Sequence, residues 1–145
     1  GKIHQANQGC ACTMNSILKQ FIKHLMVENN EVVLLDMEAG VEHFGRGVDN
    51  SVDLILMIVD PSFESLKLTK KIQQLGESIG KTVFFVLNKV NGQILPTMLE
   101  SIDDQSKVLA VISEDTEIAR KGLLGNELMM EIPEIHTLAR KILKQ

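Results

Sequence analysis

Two apolar runs with a helical-period segment between them decide most of what this chain can fold into: Asp53 to Asp60 (DLILMIVD) and Thr82 to Asn88 (TVFFVLN). Each is too continuous for a strand with one wet face and reads as a strand buried on both. Between them, Pro61 and Ser62 open a segment in which Leu68, Ile72, Leu75 and Ile79 recur at the spacing of one helix face, and Gly80 closes it. A strand, a covering helix and a second strand make a right-handed crossover, which sets the two strands parallel.

The same pattern continues on both sides. Upstream, Met14, Ile17, Leu18, Phe21, Ile22, Leu25 and Met26 form an apolar helix face with Thr13 as N-cap, and Glu31 to Asp36 (EVVLLD) reads as a further buried strand. Downstream, Met98, Leu99 and Ile102 suggest a short helix with Pro96 in its first turn, where a missing N–H costs little. Lys107 to Ile112 reads as a fourth strand, and Ser113 as the cap of a helix with Glu114, Asp115 and Glu117 opposing its dipole. After a turn around Gly122 and Gly125, Ile135, Leu138, Ala139, Ile142 and Leu143 mark an amphipathic terminal helix. An α/β fold is expected, with a doubly wound, mainly parallel sheet covered on both faces. Such sheets bind ligands beyond the carboxyl ends of their strands, which singles out Asp36, Asp60, Asn88 and the turn from Ser113 to Asp115.

Composition narrows the function. With 145 residues, 44% of them hydrophobic, the chain reads as one domain that needs no disulfides to support its core. A net charge of −4, from 15 Lys+Arg against 19 Asp+Glu, argues against a nucleic-acid backbone as partner. The absence of Trp and Tyr, with only five Phe, removes base-stacking platforms as well. The longest apolar run, Leu54 to Val59, falls far short of the roughly 20 residues that span a bilayer. No secretory signal opens the chain either, and no membrane partner is expected.

One motif is a decoy. Gly76 to Thr82 (GESIGKT) resembles a phosphate loop, but three residues separate its glycines where the motif needs four. A helix also runs into the glycine and a strand leaves the threonine, the reverse of the context in which backbone N–H groups face phosphate. A helix end followed by a strand is the expected structure, and no other stretch offers a phosphate loop.

Both cysteines stand together as Cys10-Ala11-Cys12, after Gly9 and just before a helix N-terminus that favours thiolates. Two thiols at this spacing supply half of a tetrahedral zinc site. A two-fold axis beside them would bring the same pair from a second copy, giving four ligands. The alternatives are two small residues in a buried loop, or a strained internal disulfide that a reducing compartment disfavours. His4 is a candidate supplementary ligand, although a lone histidine near a terminus is more often solvated, and His24 and His136 read as solvated too. The loop DMEAGVEHFGRG, residues 36–47, joins a strand-terminal aspartate to three glycines and to Glu38, Glu42, His43 and Arg46. Asp36 stands where a carboxylate can hold a magnesium-bound water, with Gly40 as the pivot of a phosphate-sensing switch. An ordinary charged loop behind a strand-capping aspartate accounts for the same residues.

Taken together, GCACTMNSILKQFIKHL and DMEAGVEHFGRG resemble the CooC family, the accessory ATPases of nickel insertion into carbon monoxide dehydrogenase, within the MinD-like nucleotide switches with a P-loop NTPase fold. Asn88-Lys89 resembles that family's base-contacting asparagine, and Ile112 to Asp115 the loop that passes the adenine. The resemblance implies ATP or ADP with magnesium as cofactor, a cytoplasmic homodimer, and nickel or zinc held by Cys10 and Cys12 across its interface. It assigns Asp36 and Gly40 to the magnesium and switch region, Asn88 to adenine, and carbon monoxide dehydrogenase as recipient of the metal. Members begin with a glycine-rich phosphate loop on the first strand, well before the cysteine pair, and these 145 residues contain nothing of the sort. Residues 1–145 therefore resemble the C-terminal portion of one such domain, inactive as an ATPase alone. Two other functions fit part of the pattern. One is a MinD/ParA-type partitioning or positioning ATPase, for which the mixed face of Glu134, Arg140, Lys141 and Lys144 is a weak membrane anchor. The other is a non-catalytic, metal-bridged dimerisation module. Four thiolates would equally suit an iron–sulfur cluster.

Overall fold

The computed structural model describes residues 20–22, 24–28, 31–37 and 52–144. Its elements in chain order are β1 (Leu54–Val59), α1 (Phe63–Ser78), β2 (Thr82–Val90), α2 (Leu95–Glu100), a 3-10 turn at Gln105–Lys107, β3 (Val108–Ser113), α3 (Thr116–Leu124) and α4 (Pro133–Ile142). The three strands form a parallel sheet in the order β1-β2-β3. Leu54 lies opposite Thr82 and Val59 opposite Leu87.

The central strand β2 is buried from Val83 to Leu87, and its alternating side chains divide the core in two. Val83, Phe85 and Leu87 pack with Met57 and Val59 of β1, Ile72 of α1 and Met98 of α2. On the opposite face, Phe84 and Val86 pack with Leu109, Ala110 and Leu138 of α4. Each of these side chains larger than Ala110 contributes about 1.5–3 kcal/mol on full burial. Helices cover both faces, as the α/β pattern requires, in an architecture consistent with a P-loop NTPase-like domain.

Local chemistry explains the boundaries. Ser62 caps α1 from an extended backbone, its hydroxyl accepting from the Ser65 N–H at 3.2 Å. Gly80 takes the left-handed φ of +68° that lets the chain leave the helix. Thr69, buried in α1, donates its hydroxyl hydrogen bond toward Leu66 O at 2.8 Å and Ser101 O at 2.7 Å, tying α1 to the end of α2.

Four expectations need correction. Residues 31–37 form no strand, and Val32, Val33 and Leu34 are exposed. Composition marks a segment that can be a buried strand, but ladder partners decide whether it becomes one. None of the three described strands bonds to it. In the upstream helix, residues 20–22 and 24 are helical, but Phe21 and Met26 face solvent; Thr13, Met14, Ile17 and Leu18 lie outside the described residues. Ser113 ends β3 instead of capping α3, because the chain stays extended through the Glu114 N–H, which donates to Val90 O at 2.9 Å. The cap is Asp115, accepting from the N–H groups of Glu117 and Ile118 at 2.7 and 3.0 Å; Gly122 lies within α3 and Gly125 alone ends it. Finally, α4 buries Leu138 and half-buries Ile142, leaving Ile135, Ala139 and Leu143 exposed, because only that row reaches the sheet.

Gly76 lies where α1 crosses β2, and a Cβ there would collide with Val83 Cγ2 and stand 3.1 Å from Lys81 O. Alanine gains up to about 1 kcal/mol of helix propensity, but overpacking against a buried β-branched side chain costs about 1–3 kcal/mol. Gly76→Ala is expected to lower the unfolding midpoint in urea, and Val83→Ala in that background to cost less than it does in the parent. Before β3, the Ser106 hydroxyl at 2.6 Å and N–H at 3.0 Å hold the Asp104 carboxyl below the usual aspartate range. That stabilisation is present above the unfolded-state pKa and fades as pH falls through the lowered folded one. Ser106→Ala should move the Asp104 titration upward, as read by carboxyl carbon NMR.

Candidate functional site

The register that sets Val59 opposite Leu87 also brings the next residues, Asp60 and Asn88, to the carboxyl end of the sheet. Asn88 Nδ2 donates to Asp60 Oδ1 at 2.9 Å, and Lys89 Nζ donates to Asp60 Oδ2 at 2.6 Å. Consecutive residues of a regular strand point to opposite faces, so a straight β2 could not send both side chains to one carboxylate. Its last residues are not regular. Lys89 has a φ of +56°, and the pairing of β2 with β3 slips between Leu87 and Val90.

That backbone conformation costs a non-glycine residue roughly 1–2 kcal/mol. The Asp60–Lys89 pair is 41% and 60% exposed, and such surface pairs contribute at most about 1 kcal/mol. The ion pair alone therefore does not offset the strain, and the buried stretch of β2 that precedes it holds the turn in place. Asp60 is anchored from the other side. Its N–H donates to Ser65 Oγ at 3.1 Å, and its carbonyl accepts from the Ser62 N–H at 2.8 Å.

A cavity of about 230 Å³ opens beside the end of β3. Ile112, Ile118, Met130, Ile132 and Pro133 give it apolar walls, and Glu114, Asp115, Glu131 and Glu134 line it with carboxylates. It is smaller than the roughly 300–1,000 Å³ of a complete small-molecule site. A flat apolar ring with polar edges suits these walls; a phosphate among these carboxylates would meet like charge.

The structure thus joins Asn88 to Asp60 and makes the extended stretch from Ile112 to Asp115 one wall of a cavity. Asp36 is exposed at the end of the unpaired segment 31–37. Cys10, Cys12, Glu38, Gly40, Glu42, His43 and Arg46 lie outside the described residues. Among the described residues, no group of three or more His, Cys, Asp or Glu is placed to hold a metal ion. His24 is exposed with Nδ1 2.8 Å from Gln20 O, and His136 is exposed with Nε2 4.0 Å from a Glu131 oxygen, in keeping with solvated roles. The decoy glycines behave as expected: Gly76 is inside α1, and Thr82 starts β2 at the end of the sheet remote from Asn88. Sequence reasoning missed Met130 to Glu134 as the second wall. Its one signal was Pro133, a residue favoured in a first helical turn, which marks the start of α4 on the same cavity that the start of α3 lines.

Comparison with known proteins gives the following. No protein-family model matches the chain. It is 45% identical over 144 residues to an uncharacterized ATP-binding protein of Methanocaldococcus jannaschii, covering 99% of this chain and 57% of that one. A second uncharacterized ATP-binding protein of the same organism is 32% identical over 134 residues, covering 90% and 52%. The carbon monoxide dehydrogenase accessory protein CooC of Rhodospirillum rubrum is 33% identical over 126 residues, covering 86% and 48%. The chain spans about half the length of the curated relatives it matches.

The wall formed by α3 depends on its cap. Asp115→Ala removes the acceptor for two N–H groups and is expected to cost about 1 kcal/mol in urea unfolding, whereas Asp115→Asn retains most of it.

Proposed function

We propose that the chain belongs to the CooC-like accessory ATPases and forms the base-binding side of an ATP-dependent switch for nickel insertion into carbon monoxide dehydrogenase. One conjunction carries this reading. In a chain with ATP-binding relatives and 33% identity to CooC, Asn88 and the stretch from Ile112 to Asp115 fall at the carboxyl ends of adjacent parallel strands, that stretch lining a cavity of about 230 Å³.

In this reading the cavity takes the adenine ring between Ile112, Ile118 and Ile132, and Asn88 meets the edge of the base. The triphosphate is held by groups these 145 residues do not supply, since no phosphate loop occurs among them. Asp36 would hold magnesium through a bound water, and Gly40 would serve as the switch glycine. ATP, when bound, supplies the free energy that closes a homodimer, and its hydrolysis resets the switch. Cys10 and Cys12 of two copies hold nickel or zinc as cargo, a donor set that suits a tetrahedral ion.

Two measurements on the full-length protein test this. Asn88→Ala should weaken ADP binding by tenfold or more in isothermal titration calorimetry, and unchanged affinity would remove Asn88 from the site. Metal analysis of protein purified under reducing conditions should give about one ion per dimer, with metal and dimer lost together in Cys10→Ser or Cys12→Ser. Metal-free wild-type protein would rule out the cargo role.

A further inference from the structure

We infer that Asp60 is the positioning residue that decides which base this site accepts. The inference rests on the nucleotide reading above and extends it to a residue outside the base's own contacts. An asparagine amide is ambiguous by itself, because rotation by 180° exchanges its donor and acceptor edges. A carboxylate is not, because when ionised it only accepts. With Asp60 Oδ1 2.9 Å from Asn88 Nδ2, the amide nitrogen faces Asp60 and the carbonyl Oδ1 is left to the other side.

Lys89 makes this orientation one-sided. Its ammonium occupies Asp60 Oδ2 at 2.6 Å, so Asp60 meets a donor on each of its oxygens. The strained turn at Lys89 is what brings that second donor round to the face already used by Asn88. A base that meets Asn88 Oδ1 must offer a donor. Adenine offers its exocyclic amine, while guanine places a carbonyl at the same position and would set two acceptors against each other.

The geometry yields a prediction that packing alone does not. In Asp60→Asn, nearly identical in size, the Lys89 ammonium takes the new carbonyl and leaves the new NH₂ facing Asn88. The Asn88 amide then turns over and presents its own NH₂ to the base. Adenine preference should fall and guanine affinity should rise.

The experiment is calorimetric titration of the full-length protein with ADP and with GDP, whose diphosphates are common and cancel in the ratio. Wild type should prefer ADP. Asp60→Asn should reduce the ADP-to-GDP affinity ratio by roughly 5- to 150-fold, with GDP binding tighter than in wild type. Adding Lys89→Met to Asp60→Asn should return part of the lost ratio, since nothing then fixes the new amide. Equal weakening of both nucleotides in Asp60→Asn would overturn the inference and leave Asp60 a structural residue. Wild-type protein that binds neither nucleotide would overturn the nucleotide reading itself. Should Asp60→Asn melt well below wild type, the amide proton resonances of Asn88 in the wild-type protein decide instead. Slow exchange of the proton facing Asp60 supports a fixed amide, and free rotation rejects it.

Discussion

Everything described in this molecule hangs on the burial of β2. It is the central strand, bonded on both edges, and from Val83 to Leu87 it is closed off on both faces. Because its side chains alternate, one five-residue stretch supplies the centre of both half-cores, gathering α1 and α2 against one side and α4 against the other. Little freedom remains in such a strand, so strain can be placed at its end. The left-handed Lys89 follows directly after the buried stretch and Asn88, and the rigidity of the strand is what lets a poor backbone conformation aim two side chains at one carboxylate.

Legibility followed the kind of force involved. Segments whose structure depends on their own burial pattern, DLILMIVD, TVFFVLN and the helix between them, were readable within a residue or two. Where a partner decides, pattern was not enough. EVVLLD has the composition of a buried strand, yet no strand of the described sheet pairs with it and its valines lie in solvent. The start of α3 shows the same limit on a smaller scale. Ser113 and Asp115 are both good caps by type, and one cross-strand bond from the Glu114 N–H to Val90 O keeps the chain extended long enough to choose Asp115.

The site was half legible for the same reason. Asn88 and the stretch from Ile112 to Asp115 were legible as candidates because strand ends are where α/β sheets bind, a topological rule that needs no contact information. The partnership of Asp60 with both Asn88 and Lys89 was not, because it depends on a break in strand alternation that no residue type announces. Lysine is neither glycine nor asparagine, so its positive φ carries no sequence signal. The second cavity wall was hidden by distance along the chain. Met130 to Pro133 and Ile112 belong to separate elements that meet only when α4 packs on the sheet through Leu138.

The charges around the site sort into those already engaged and those left over, and this bears on what can bind there. Asp60 is matched by Lys89, and Asp115 is committed to two N–H groups at the positive end of α3. The Glu114 carboxylate accepts from the Asn91 amide, at 3.5 Å, and Glu131 stands 4.0 Å from the His136 ring. Among the described residues, what remains around the cavity is therefore negative, with no lysine or arginine in its lining. A neutral ring with donor edges gains from that field, and a phosphate does not. If a nucleotide binds, its base end and its phosphate end must face different chemistry, so the cavity can select the base without contributing to the grip on phosphate. Selectivity and grip would then be separable by mutation, because the groups that orient Asn88 are not those that could hold a triphosphate.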